Sequence, residues 1–89
     1  MSWTLVLTST FKRGFKRKDA LLKRKVESAL AELASSEDPR ALGIPKHGQL
    51  RGTYAFELDH SNRILYAVDP ERKEIHFLRT CSHAEVYRS

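Results

Sequence analysis

Four side chains in this 89-residue sequence could do chemistry together: His60, Arg63, Arg79 and His83. Histidine titrates near neutrality, so it can take or give a proton there, and a positioned acid or base is typically worth ~10²–10⁴-fold in rate. Arginine offers permanently charged, bidentate donors that suit phosphate oxygens. RNA is the substrate class this set fits. Its 2′-hydroxyl can attack the adjacent phosphodiester once a base removes its proton, an acid protonates the 5′-oxygen and cations absorb the charge building at phosphorus. No metal is needed for that reaction, and DNA lacks the hydroxyl. The alternative is that these are solvated residues at the end of a sheet in a basic protein.

The elements that would gather them are two strands. Arg63-Ile64-Leu65-Tyr66-Ala67-Val68 and Ile75-His76-Phe77-Leu78-Arg79-Thr80-Cys81 flank the turn residues Asp69-Pro70-Glu71-Arg72-Lys73-Glu74. Closing the turn with Val68 opposite Ile75 puts Arg63 opposite Thr80, beside Arg79, and the same register extended brings His60 level with His83. Whether both arginines point to one side depends on a shift of one residue. Upstream, Leu50, Gly52, Tyr54, Phe56 and Leu58 alternate with polar or small residues, the pattern of a strand with one buried face, and Asp59-His60-Ser61-Asn62 supplies a turn. His47 lies in a loop over residues 39–49, and only a fold-back of that loop would bring it to the hairpin. His76 reads as an ordinary strand residue and Cys81 as a small filler. Tyr87, four residues after His83, would align with it on a terminal helical turn.

The N-terminal half supplies the support. Trp3 to Thr8 is short, β-branched and apolar on both faces, which predicts a strand internal to a sheet. Thr8, Ser9 or Thr10 can cap a short helix with Phe11 and Phe15 on one face. Those rings suit a core, although they could also stack on bases. Asp19 can cap a second helix from about Ala20 to Ala34, with Leu22, Val26, Ala29, Leu30 and Leu33 at helical steps. The expected order is β-α-α-β-β-β: one α+β domain over residues 1–89, a mostly antiparallel sheet with two N-terminal helices packed on it.

Charge narrows the partners. Sixteen Lys and Arg against eleven Asp and Glu give +5. Residues 11–25 hold eight basic residues and only Asp19 as an acid, a net +7 that leaves −2 for the rest. Lys12, Arg13, Lys16 and Arg17, with Lys23, Arg24 and, further on, Arg51, are the candidate contacts for RNA or a ribosome. A cationic face of this kind suits nucleic acid, an acidic protein or anionic lipid. At 40% hydrophobic and 30% charged residues the composition is that of a folded domain rather than a disordered chain. The single cysteine excludes an internal disulfide, and four histidines without a Cys-x-x-Cys predict neither metal nor cofactor. No apolar run reaches ~18 residues and no signal peptide opens the chain, so a cytoplasmic protein is expected.

The chain also resembles the RelE/ParE superfamily of bacterial and archaeal toxins, and within it the YafQ-like and RelE-like mRNA interferases. The resemblance rests on Phe11-Lys12-Arg13, Leu50-Arg51-Gly52-Thr53-Tyr54, Arg63-Ile64-Leu65-Tyr66-Ala67-Val68 and, above all, Phe77-Leu78-Arg79-Thr80-Cys81-Ser82-His83-Ala84-Glu85-Val86-Tyr87. It implies a compact endoribonuclease that cuts messenger RNA, usually in the ribosomal A site, held inactive by a cognate antitoxin. By similarity His83 matches the C-terminal catalytic histidine, Tyr87 the aromatic after it and Arg79 the phosphate-facing arginine. His47 matches the histidine of the loop before the second strand, and His60 the one ending that strand. Two departures stand out: the interval from His60 to Ile64 is shorter than in YafQ-like sequences, and Asn62-Arg63 replaces their Asp-Trp pair. Arg63 therefore looks more like the strand arginine of RelE-like and YoeB-like members. Two other functions fit the same architecture, a ParE-like inhibitor of DNA gyrase and a non-catalytic RNA- or ribosome-binding module.

Overall fold

A computed structural model describes residues 3–82, the last of them by its backbone alone. Strand β1 (Thr4–Leu7) leads into helix α1 (Ser9–Lys16) and helix α2 (Ala20–Ser35). Three antiparallel connections then join β2 (Ile44–Pro45), β3 (Tyr54–Glu57), β4 (Asn62–Asp69) and β5 (Glu74–Ser82). The sheet order is β1-β5-β4-β3-β2, with β1 parallel to β5. This is the expected α+β arrangement of two helices on a mostly antiparallel sheet. No described helix is long and apolar enough to cross a membrane.

Both helices start where their polar caps demand. Thr8 is extended and its hydroxyl accepts from Phe11 N at 3.2 Å; Asp19 is extended and its carboxylate accepts from Leu22 N at 2.8 Å. The apolar stripes of the two helices then close over one face of the sheet. Phe11, Val26, Ala29 and Leu33 bury themselves against Ile64, Tyr66, Ile75 and Phe77. Phe11 meets Phe77 with ring centroids 5.6 Å apart, and Tyr66 stacks on Tyr54 at 5.7 Å. The phenylalanines of α1 are therefore core residues: Phe11 is buried and Phe15 packs partly buried against the same cluster.

Three expectations change. β1 is an edge strand, not an internal one. Leu5 and Leu7 face the core beneath the helices, so the strand's apolar character comes from that cover and not from two neighbouring strands. The segment 39–49 is not a plain loop: a short 3-10 turn at Pro39–Leu42 precedes the two-residue β2, and another spans Gly48–Leu50. Finally, β3 is shorter than the alternating pattern and covered on both sides. Tyr54 and Phe56 join the helix-side core while Ala55 is buried on the other face, where Leu50 also packs.

Gly43 is required by a close approach. A Cβ there would collide with the Tyr66 hydroxyl and lie 3.1 Å from Tyr54 Cβ. That hydroxyl is buried and donates to Pro39 O at 2.7 Å, and burial, with Tyr54 and Asp38 nearby, pushes its pKa well above the ordinary phenol value. Gly43→Ala is expected to cost about 1–3 kcal/mol of stability, read from the urea midpoint; an unshifted midpoint would mean that the ring can yield.

Candidate active site

The face of the sheet turned away from the helices holds Arg63 and Arg79. Its centre is a small apolar cluster of Ala55, Leu65 and Cys81, flanked by Leu50 and Leu78, with no residue of α1 or α2 among the described members. Leu50 comes from the 3-10 turn after β2, so the 46–53 connection does fold back over this face and carries Arg51, which is exposed, to its border.

Register decides which side chains share the face. Val68 pairs with Ile75 as expected, but Arg63 pairs with Cys81 and not with Thr80. The one-residue slip is a β-bulge: Tyr66 pairs with Phe77 and Leu65 with Arg79, so Leu78 is the extra residue. Beyond the bulge Arg63 and Leu65 of β4 lie on the same face as Arg79 and Cys81 of β5. The two arginines are thus diagonal neighbours, roughly 7–8 Å apart in a regular pair. The bulge itself is tied to α1. Thr8 Oγ1 donates to Phe77 O (2.8 Å) and Leu78 O (3.0 Å), while Thr8 N donates to Phe77 O (3.2 Å). The cap of the cationic helix therefore also fixes the irregularity that aims Arg79. The sequence offers Thr8, Ser9 or Thr10 as the cap; the structure selects Thr8 and adds this second role, which depends on a contact 70 residues away.

The arginines differ in environment. Arg63 is buried, 8% exposed, and its guanidinium wraps the β3–β4 turn. Nη1 donates to Asp59 O (2.6 Å) and Asn62 O (3.1 Å), and Nη2 lies 3.2 Å from the Glu57 carboxylate. A phosphate reaching Arg63 would have to compete with Glu57. Arg79 is half-buried. The turn is pinned by Asp59, whose carboxylate accepts from Ser61 N and Asn62 N (both 2.9 Å) and pairs with Lys25 Nζ of α2 at 3.1 Å. The hydrogen bonds from Ser61 and Asn62, followed by Lys25, hold its carboxyl well below the usual carboxylate range. The sequence marks Asp59 as a turn residue, and its two- and three-residue spacing to Ser61 and Asn62 is the signal of an Asx turn.

The histidines are less concentrated. His60 is exposed at the tip of the β3–β4 turn, near the Glu57 end of β3. His47 is exposed at the start of the Gly48–Leu50 turn, before the Tyr54 end of β3. The strand alone puts about 10 Å between those ends. His83 and Tyr87 lie outside the described residues, so the expected level pairing of His60 with His83 is not described. His76, expected as an ordinary strand residue, is half-buried with Nε2 3.0 Å from Glu74 Oε1.

The second cationic zone lies on the helix side. Lys12, Arg13, Lys16, Arg17 and Arg24 are exposed, while Lys23 Nζ sits over the Phe15 ring at 5.7 Å. Among the described residues no group of three or more His, Cys, Asp or Glu could hold a metal ion.

Comparison with known proteins gives one consistent picture. No protein-family model matches the sequence. The chain is 32% identical over 89 residues to Toxin RelG of Mycobacterium tuberculosis, covering 99% of each chain. Its fold superimposes on a chain of the M. tuberculosis toxin–antitoxin complex RelBE2 with a TM-score of 0.78, at 27% identity over 94% of both chains. It also superimposes on a mutant of the E. coli toxin RelE in the free state, with a TM-score of 0.75 at 21% identity, over 99% of this chain and 93% of that one.

Proposed function

The chain belongs to the RelE family of toxins, and we propose that it is the poison of a type II toxin–antitoxin pair, an endoribonuclease that cuts messenger RNA on the ribosome in the cytoplasm. The observation that carries the catalytic reading is the placing of Arg63 and Arg79 on one face of the sheet by the bulge at Leu78. Arg79 binds the scissile phosphate and stabilises the charge that develops on its non-bridging oxygens. Arg63 fixes the turn and adds positive potential beside it. His83, with His60 and His47 as the other candidate proton carriers, removes the 2′-hydroxyl proton and protonates the leaving 5′-oxygen. Tyr87 stacks on a base or assists the proton transfer. The new bond joins O2′ to phosphorus and the P–O5′ bond breaks, so the products are a 2′,3′-cyclic phosphate and a 5′-hydroxyl. Lys12, Arg13, Lys16, Arg17, Lys23, Arg24 and Arg51 bind ribosomal or messenger phosphates. A cognate antitoxin holds the toxin in check, by analogy with the RelBE2 complex.

The test is a ribosome-bound message cut by the purified chain, with end-group analysis of the fragments. We expect cyclic phosphate ends and no cut where the nucleotide 5′ to the cleaved bond carries a 2′-deoxy sugar. Cutting at the deoxy position would overturn the hydroxyl mechanism. An intact message with salt-dependent ribosome binding would leave a binding module, and inhibition of gyrase with RNA untouched would point to the ParE-like reading.

A further inference from the structure

In a regular strand successive carbonyls point to opposite neighbours. Phe77 O and Leu78 O break that rule. Both accept from Thr8 Oγ1, at 2.8 and 3.0 Å, and Phe77 O also accepts from Thr8 N at 3.2 Å. By alternation Leu78 O would serve β4; turned instead toward the end of β1, it accompanies a shift of one residue in the pairing of β4 with β5. The shift sets the parity of everything beyond it. Carried on from Tyr66 opposite Phe77 without the extra residue, the ladder would place Thr80 opposite Arg63 and Arg79 opposite Ile64, on the side of the helix-covered core. With it, Arg79 stands opposite Leu65 and shares a face with Arg63, while Thr80 stands opposite Ile64. That arrangement has a cost. Thr80 Oγ1 is buried without a hydrogen-bond partner among the described residues, whereas the regular register would set it on the arginine face. The bulge trades stability for the place of an arginine, which is the mark of a functional irregularity.

We propose that Thr8 is a positioning residue of the cleavage reaction: its hydroxyl holds β5 in the bulged register and thereby aims Arg79 at the scissile phosphate. It touches no substrate and acts through Arg79. The same oxygen accepts from Phe11 N at 3.2 Å, so one side chain joins the first turn of the cationic helix to the strand that carries the arginine. Lys12, Arg13, Lys16 and Arg17 are exposed along that helix. Loss of the Thr8 hydroxyl therefore lowers turnover and leaves their contacts with the ribosome in place. This inference rests on the cleavage reading given above.

The experiment compares Thr8→Ser, Thr8→Val and Thr8→Asp in single-turnover cleavage of a ribosome-bound message. Serine keeps both donor and acceptor and should cleave at the original rate. Valine keeps the shape and loses both. Aspartate still accepts from Phe11 N as an N-cap but has no proton to give the two carbonyls, which separates capping from the bulge. Val and Asp are each expected to lower the rate at saturating ribosome by about 10–100-fold, the order of loss for a group misplaced by an ångström, with the ribosome concentration for half-maximal rate unchanged. Combined with Arg79→Ala, Thr8→Asp should add no further loss, as for residues that act as one unit. Cross-strand nuclear Overhauser contacts report the register itself: Arg63 to Cys81 in the original chain and in Thr8→Ser, and absent in Thr8→Asp. Full cleavage by Thr8→Asp, a loss that multiplies with that of Arg79→Ala, or Arg63 found beside Thr80 in the original chain overturns the inference, and the last of these needs no variant to fold. A full rate in Arg79→Ala would instead remove the phosphate role on which the inference stands.

Discussion

RNA cleavage by the His83→Ala chain is expected to fall by ~10²–10⁴-fold, the usual worth of one positioned proton carrier. The reasoning is chemical. A 2′-hydroxyl is almost wholly protonated at neutral pH, and among the described residues the Glu57 carboxylate is paired with Arg63 and that of Glu74 with His76. Imidazole remains as the group that can both remove a proton and return one near pH 7. Single-turnover rates on a ribosome-bound message, taken from pH 5 to 9, check this. The original chain should give a bell-shaped profile, and the variant should lose one limb along with the rate. Antitoxin binding should be unchanged. An undiminished rate would transfer the proton role to His60 or His47, and the same measurement on His60→Ala and His47→Ala would say which.

The second large effect is a division between the two arginines. Arg79→Ala is expected to lower cleavage by ~10²–10³-fold, as the loss of one donor to a developing oxyanion does. Arg63→Ala should do the opposite in emphasis. Its guanidinium satisfies two carbonyls of the β3–β4 turn and pairs with Glu57. Losing these contacts costs about 2–4 kcal/mol, a fall of very roughly 10–25 °C in melting temperature for a chain of this size. Arg63→Lys should recover little of that stability, because an ammonium cannot span two carbonyls and a carboxylate as a planar fork does. Calorimetry beside cleavage rates separates the roles. Equal loss of rate in both variants at a temperature where both are folded would make Arg63 a direct phosphate ligand.

Much of the fold was written locally. Asp19 and the three- and four-residue spacing of Val26, Ala29, Leu30 and Leu33 specify α2, and Asp69-Pro70 with the flanking β-branched runs specifies the hairpin that closes Val68 on Ile75. The cationic sign of α1 follows from residue counts alone. These features depend on neighbours within a few positions, where capping, periodicity and turn chemistry act.

Tertiary structure decided the rest. A bulge at Leu78 cannot be seen in an alternating pattern, because it is held by a hydroxyl from Thr8 at the far end of the chain. It is that bulge which sets Arg63 against Cys81 and brings both arginines to one face. Burial of Arg63 depends on carbonyls exposed by the β3–β4 turn, and the open edge of β1 depends on which strands find each other in space. The sequence by itself determined the elements, their order and the kinds of reactive group available. Which groups share a face, which are tied up in structure and which edge is left open were determined by long-range pairing, whose energies no local window of residues contains.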